Sequence, residues 1–181
     1  MMQSDLSSGA SLARPRRANV RAAAALLLLL AAPLASAQTA LIGKPAPDFA
    51  LRSLQGENLR LSEYSGEVVM VNFWGTWCGP CRQEMPRLDE LYARYRRAGL
   101  VLLSVSLDHE RNRAVEMAQT LKVAYPVLFD ELRAVSRAYG VDDLPVTLFI
   151  DRQGVVRFVS QGYKPGYEDR YADHLRELLN E

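Results

Sequence analysis

The sequence predicts an α/β fold with a central mixed sheet covered on both faces, and three observations carry that prediction. Two apolar, β-branched runs, Val68 to Trp74 and Leu100 to Ser106, flank a helical stripe, the pattern of a strand–helix–strand crossover and so of a parallel pair. Further on, Thr147 to Ile150 and Val155 to Ser160 flank the turn Arg152-Gln153-Gly154, which makes an antiparallel pair. An amphipathic helix from about Glu168 to Leu179 closes the chain and supplies cover for the sheet.

The 181 residues have room for one ordinary domain. Residues 1–37 read as an export signal: Arg14, Arg16, Arg17 and Arg21 precede the apolar run Ala22 to Leu34, and Ala35-Ser36-Ala37 offers a cleavage site that leaves Gln38 first. The alternative is an uncleaved N-terminal membrane anchor, but the apolar run of about 13 residues is short against the roughly 20 that span a bilayer. Arg16-Arg17 also fits a twin-arginine signal. Residues 38–47 form an expected flexible lead-in, broken by Gly43, Pro45 and Pro47, and residues 48–181 form the folded domain. Taking four arginines and one aspartate from 22 basic and 21 acidic residues leaves 18 against 20, a formal charge of −2. Such a balance argues against nucleic acid or an anionic membrane as partner. Arg94, Arg96 and Arg97 read as the solvated end of a helix.

Along the folded part, Phe49 to Leu51 and Leu59 to Leu61 flank the turn-prone Gln55-Gly56 and predict a hairpin. Val68 to Trp74 is apolar enough to be a central strand buried on both faces. Cys78 then opens a helix whose Met85, Leu88, Leu91, Tyr92 and Tyr95 share one stripe, and Gly99 ends it. After the second strand come a helical insert, Arg111 to Leu121, a short extension at Pro126 to Phe129, and a helix around Glu131 to Tyr139.

With only two cysteines in a chain of this size, a disulfide scaffold is not what holds the core together. Cys78 and Cys81 stand at C-x-x-C spacing where the buried strand passes into the helix. Cys78 faces the unpaired N–H groups and positive end of the helix, which favour a thiolate, while Cys81 lies one turn further in, where burial keeps it protonated. The asymmetry predicts that Cys78 attacks a partner disulfide and Cys81 resolves the mixed disulfide. A zinc site would need two more ligands, and the chain offers only His109 and His174, both read as surface residues. An inert disulfide closing so small a loop would stabilise little. Trp77 is expected to shield the reactive thiol and contact partners, the alternative being an ordinary core residue.

The string Val71-Asn72-Phe73-Trp74-Gly75-Thr76-Trp77-Cys78-Gly79-Pro80-Cys81-Arg82-Gln83-Glu84-Met85-Pro86 resembles the active-site strand and helix of extracytoplasmic thioredoxin-like proteins of the TlpA, ResA and DsbE (redoxin) type. Tyr139-Gly140-Val141 followed by Leu144-Pro145-Val146-Thr147-Leu148-Phe149-Ile150-Asp151 resembles the second signature of that family, so the likeness runs from about Gly43 to the C-terminus. It implies a thioredoxin fold with an N-terminal hairpin and a helical and strand insert. It also implies a cis-proline at Pro145, with the Leu144 backbone pairing an extended partner, and a helix-kinking proline at Pro86. Substrate contacts are expected from Trp77, Gly79, Pro80, Leu144 and Pro145. Glu84 is the candidate proton carrier for Cys81, against the plainer reading of a solvated carboxylate. Asn72 departs from cytoplasmic thioredoxins, which place an aspartate there, and an amide cannot accept the proton.

The resemblance implies an exported disulfide reductase whose substrates are protein disulfides, among them apocytochrome c. It would be recharged by a membrane-borne thiol reductant and work as a monomer in the periplasm or extracytoplasmic space, soluble after signal cleavage, with no cofactor beyond the Cys78–Cys81 disulfide. Gly79-Pro80, the dipeptide of reducing thioredoxins, favours that direction, and Asp142 and Asp143 are candidates for setting partner charge. Two rivals belong to other classes. A peroxidase of the peroxiredoxin kind needs a lone peroxidatic cysteine in a threonine- and proline-bearing loop, which the sequence lacks; a chaperone would use the Leu144-Pro145 groove without redox chemistry.

Overall fold

The computed structural model describes residues 39–181, and the expected export signal lies outside them. Seven strands form one mixed sheet: β1 (Ala50–Ser53), β2 (Asn58–Arg60), β3 (Val68–Trp74), β4 (Leu100–Ser106), β5 (Val127–Phe129), β6 (Val146–Ile150) and β7 (Val156–Gln161). The helices are α1 (Gly79–Tyr95), α2 (Arg111–Leu121), α3 (Ala134–Ala138) and α4 (Tyr167–Leu179). Strand order is β2-β1-β5-β4-β3-β6-β7. β3 pairs in parallel with β4 from Val68↔Leu100 to Trp74↔Ser106, and antiparallel with β6.

All seven β3 residues are buried. Because side chains alternate along a strand, Val68, Met70 and Trp74 enter the core shared with Met85 and Leu88 of α1 and Tyr171 and Leu175 of α4. Val69, Val71 and Phe73 enter the opposite core with Leu103, Tyr139 and Leu148. The same alternation puts Asn72 on the α1 side, the one polar residue in an otherwise apolar strand.

Cys78 is the N-cap of α1, with extended φ −87° and ψ 104°, and its Sγ accepts the Cys81 N–H at 3.1 Å. Pro80 sits in the first turn, where a missing N–H is harmless. Pro86 lies inside α1 and withholds an N–H from the preceding turn. The helix passes through a short 3₁₀ turn and ends at Gly99, whose φ of 101° suits glycine.

Three features differ from the sequence expectations. Residues 39–47 are tied to the β6–β7 hairpin: Gly43 N–H donates to Val156 O at 2.8 Å, Ala46 N–H to Gly154 O at 2.9 Å, and Val156 N–H to Lys44 O. Turn-prone residues break a regular pattern without preventing backbone pairing. The helix expected around Glu131 to Tyr139 contracts to α3 because Arg133 is left-handed (φ 52°), and Asp130 caps it by accepting the N–H groups of Val135 and Ser136. His174 is half-buried and stacked on Phe158, with ring centroids 3.9 Å apart, and burial pushes its pKa down; His109 is exposed. Among the described residues no helix is long and apolar enough to cross a membrane.

Candidate active site

Parallel pairing of β3 and β4 brings their C-terminal ends together, and the loop after β3 is held from the loop after β4. Asp108, 2% exposed, accepts the Thr76 N–H at 3.1 Å, the Thr76 hydroxyl at 2.5 Å and the Ser106 hydroxyl at 2.8 Å. Thr76, two residues before Cys78, is thereby anchored to the sheet. Gly75 sits beneath the Trp77 ring, where a Cβ would come within 2.7 Å of the indole. Trp77 itself is 55% exposed, so it is no core residue, and the Arg133 guanidinium lies 5.4 Å from its ring centroid.

Cys78 and Cys81 form a disulfide, with Cα atoms 5.3 Å apart. Cys78 retains 7% exposure and Cys81 none. A cleft of about 340 Å³ opens on Cys78, lined among others by Trp77, Gly79, Pro80, Asp142 and Leu144. The Leu144–Pro145 bond is cis; Pro145 is buried and its carbonyl accepts the Gly162 N–H at 2.8 Å. Asp142 and Asp143 are exposed on the cleft wall. Among the described residues no group of His, Cys, Asp and Glu gathers as a metal site.

Glu84, three residues after Cys81, faces the same side of α1 and is fully buried, not solvated. Asn72 Nδ2 donates to its Oε2 at 3.0 Å; the Thr147 and Tyr171 hydroxyls donate to Oε1 at 3.0 and 2.9 Å. Asn72 Nδ2 also reaches Thr147 Oγ1 at 3.0 Å. Burial raises the Glu84 pKa from an ordinary 4.5 to about 7, and the three donors only partly offset it. A carboxyl near 7 exchanges its proton at neutral pH, which is what a buried thiol needs to ionise. Asn72 thus supports the acid instead of replacing it.

Sequence reasoning brought Trp77, Cys78, Gly79, Pro80 and Leu144 to one cleft and missed Asp108, Arg133, Tyr171 and Ser160. Ser106 and Asp108 had one signal available: they follow a parallel strand beside the motif strand, and sites in open α/β sheets gather at carboxyl ends of strands.

The model of the AhpC/TSA family matches residues 42–159. The chain is 40% identical over 121 residues to the thiol-disulfide oxidoreductase ResA of Geobacillus thermodenitrificans, covering 67% of this chain and 70% of that one. To ResA of Halalkalibacterium halodurans it is 31% identical over 137 residues, 76% of each chain. A crystal structure from Chlorobium tepidum, assigned as thiol:disulfide interchange protein DsbE, superposes with a TM-score of 0.73 at 33% identity, covering 76% of this chain and 97% of that one.

Proposed function

Because this chain belongs to the AhpC/TSA family and is a thiol–disulfide oxidoreductase with a thioredoxin-like fold, we propose that it reduces protein disulfides outside the cytoplasm, Cys78 attacking and Cys81 resolving. The difference in exposure carries the assignment: Cys78 lines the cleft and keeps 7% exposure, whereas Cys81 has none. A partner sulfur can therefore approach Cys78 alone.

In the reduced enzyme the Cys78 sulfur keeps the Cys81 N–H as a donor and lies at the positive end of α1. Its thiolate attacks the partner disulfide and one partner sulfur leaves. Glu84 takes the Cys81 proton, and the Cys81 thiolate attacks Cys78 and frees the second partner sulfur. Trp77, Gly79, Pro80 and Leu144 form the partner surface, with Pro145 buried behind it and the Leu144 backbone offering hydrogen bonds to an extended segment. Export by the segment 1–37, protein substrates with apocytochrome c among them, and recharging by a membrane-borne dithiol complete the reading; the basic and apolar runs of that segment support export and the dipeptide Gly79-Pro80 supports the reductive direction.

Trapping tests it. Cys81→Ser expressed with its own signal should accumulate partners disulfide-linked to Cys78, recovered from the extracytoplasmic fraction and identified by mass spectrometry. Adducts absent, or equally abundant on Cys78→Ser, would overturn the assignment.

A further inference from the structure

The hydrogen bonds that hold Glu84 do not stop at its first neighbours. Tyr171 lies 2.9 Å from Glu84 Oε1 and 3.1 Å from Ser160 Oγ, and Arg170 Nη2 donates to that same Oγ at 3.2 Å. A tyrosine hydroxyl has one proton, so when Glu84 is ionised Tyr171 donates to it and accepts from Ser160, and when Glu84 is protonated the carboxyl donates to Tyr171 and Tyr171 donates to Ser160. Arg170 occupies one lone pair of Ser160, which leaves the other lone pair and the O–H for Tyr171 and the groove. Tyr171 is fully buried and Ser160 is 6% exposed, while Arg170 is at the surface. The chain of oxygens runs from the middle of the core to a groove of about 410 Å³ lined by Ser160, Tyr167, Arg170 and His174. That groove shares no lining residue with the cleft at Cys78.

We infer that Tyr171 and Ser160 are a hydroxyl relay that carries the Glu84 proton to and from water at the β7–α4 groove, away from the face where the partner binds. The inference rests on Cys81 as the resolving thiol. When Cys81 attacks Cys78, the Cys78–Cys81 bond forms and the bond to the partner sulfur breaks. That sulfur leaves with the electron pair, the partner is reduced by two electrons and the dithiol oxidised. The Cys81 proton is then on Glu84, at the moment when a bound partner covers the cleft. Along the relay Glu84 passes its proton to the Tyr171 oxygen as Tyr171 passes its own to Ser160, which releases one to water. Recharging runs the sequence backwards, so that Glu84 can return a proton to the departing Cys81 thiolate. Tyr125 and Tyr163 also stand in electrostatic contact with Glu84, and burial holds both above the ordinary tyrosine value, so neither ionises in its place.

The test follows release of coloured thiolate from dithiobis(nitrobenzoate) in stopped flow. Reduced protein releases one thiolate when Cys78 attacks and a second, in a first-order phase, when Cys81 resolves. Samples are held at about pH 5.5 or about pH 8.5, on either side of the Glu84 titration, and both are mixed to about pH 8.5. Wild-type protein should show the same second phase from either start. Tyr171→Phe, which keeps the ring that packs edge-on against Phe149, and Ser160→Ala should each be slower from the acid start by about tenfold, a part of what a positioned acid–base group contributes. The double variant should be no slower than the worse single one, because both residues serve one path. Equal rates from the two starts in both variants, or a slowing that is the same from either start as in a merely structural role, would overturn the relay while leaving the reductase reading intact. Loss of the second thiolate in wild-type protein would instead overturn Cys81 as resolving thiol, and the relay with it.

Discussion

Asn72 Nδ2 donates to Glu84 Oε2 at 3.0 Å across the interface between the central strand and the active-site helix, with both residues fully buried. The amide therefore holds an acid that burial keeps partly protonated, and the stability of the protein should carry its titration.

Between about pH 4.5 and about pH 7 the folded state holds a proton that the unfolded chain has released, so the unfolding free energy falls as pH rises across that window. The loss amounts to about 3 kcal/mol. Urea unfolding of the oxidised protein across that range should show the decline, and Glu84→Gln should lack it. The same slope in both proteins would count against a buried, titrating Glu84.

Asp108 is the anchor of the loop before Cys78, and its removal strands two donors on Thr76 and one on Ser106. Asp108→Ala should cost about 3 kcal/mol and Thr76→Ala about 1 kcal/mol, as buried charge-assisted and ordinary hydrogen bonds do. Denaturant unfolding measures both; a loss below about 0.5 kcal/mol for Asp108→Ala would place the anchor elsewhere.

Gly75→Ala puts a methyl group into the Trp77 ring. Because Trp77 is largely exposed, the ring can swing aside, so stability should drop by less than the roughly 1–3 kcal/mol of an overpacked core. The indole then leaves its place over the cleft. Reduction of a protein disulfide should slow, and emission of Trp77 should shift while that of buried Trp74 stays constant; unchanged emission and rate would show that Gly75 does not set the position of Trp77.

In the reduced protein, iodoacetamide at neutral pH should modify Cys78 and spare Cys81. Cys78, the N-cap of α1, lines the cleft and keeps 7% exposure, whereas Cys81 has none. Peptide mapping after limited labelling decides; equal modification would remove the asymmetry on which their roles rest.

Much of the fold was legible in the chain because its signals are local. Val68 to Trp74 is buried whichever face is considered, so its composition alone marks a central strand. Cys78, with two residues between it and Cys81 and Pro80 in the first turn, marks both a helix start and its chemistry. Arg133 was not legible: a left-handed arginine has no sequence signature, and its effect was to shorten α3. His174 read as a surface residue because its partner Phe158 comes from β7, outside the helix whose pattern was being read.

By itself the sequence determined the alternation of strands and helices and the place of the dithiol, since these follow from hydrophobic period and residue spacing. Only the tertiary structure decided what surrounds Glu84. Asn72, Thr147 and Tyr171 stand 12, 63 and 87 residues from it, and no pattern along the chain links them. The carboxyl is shifted because strands β3 and β6 and helix α4 close over it together, and desolvation acts through all the atoms that exclude water, however far apart they lie in the chain.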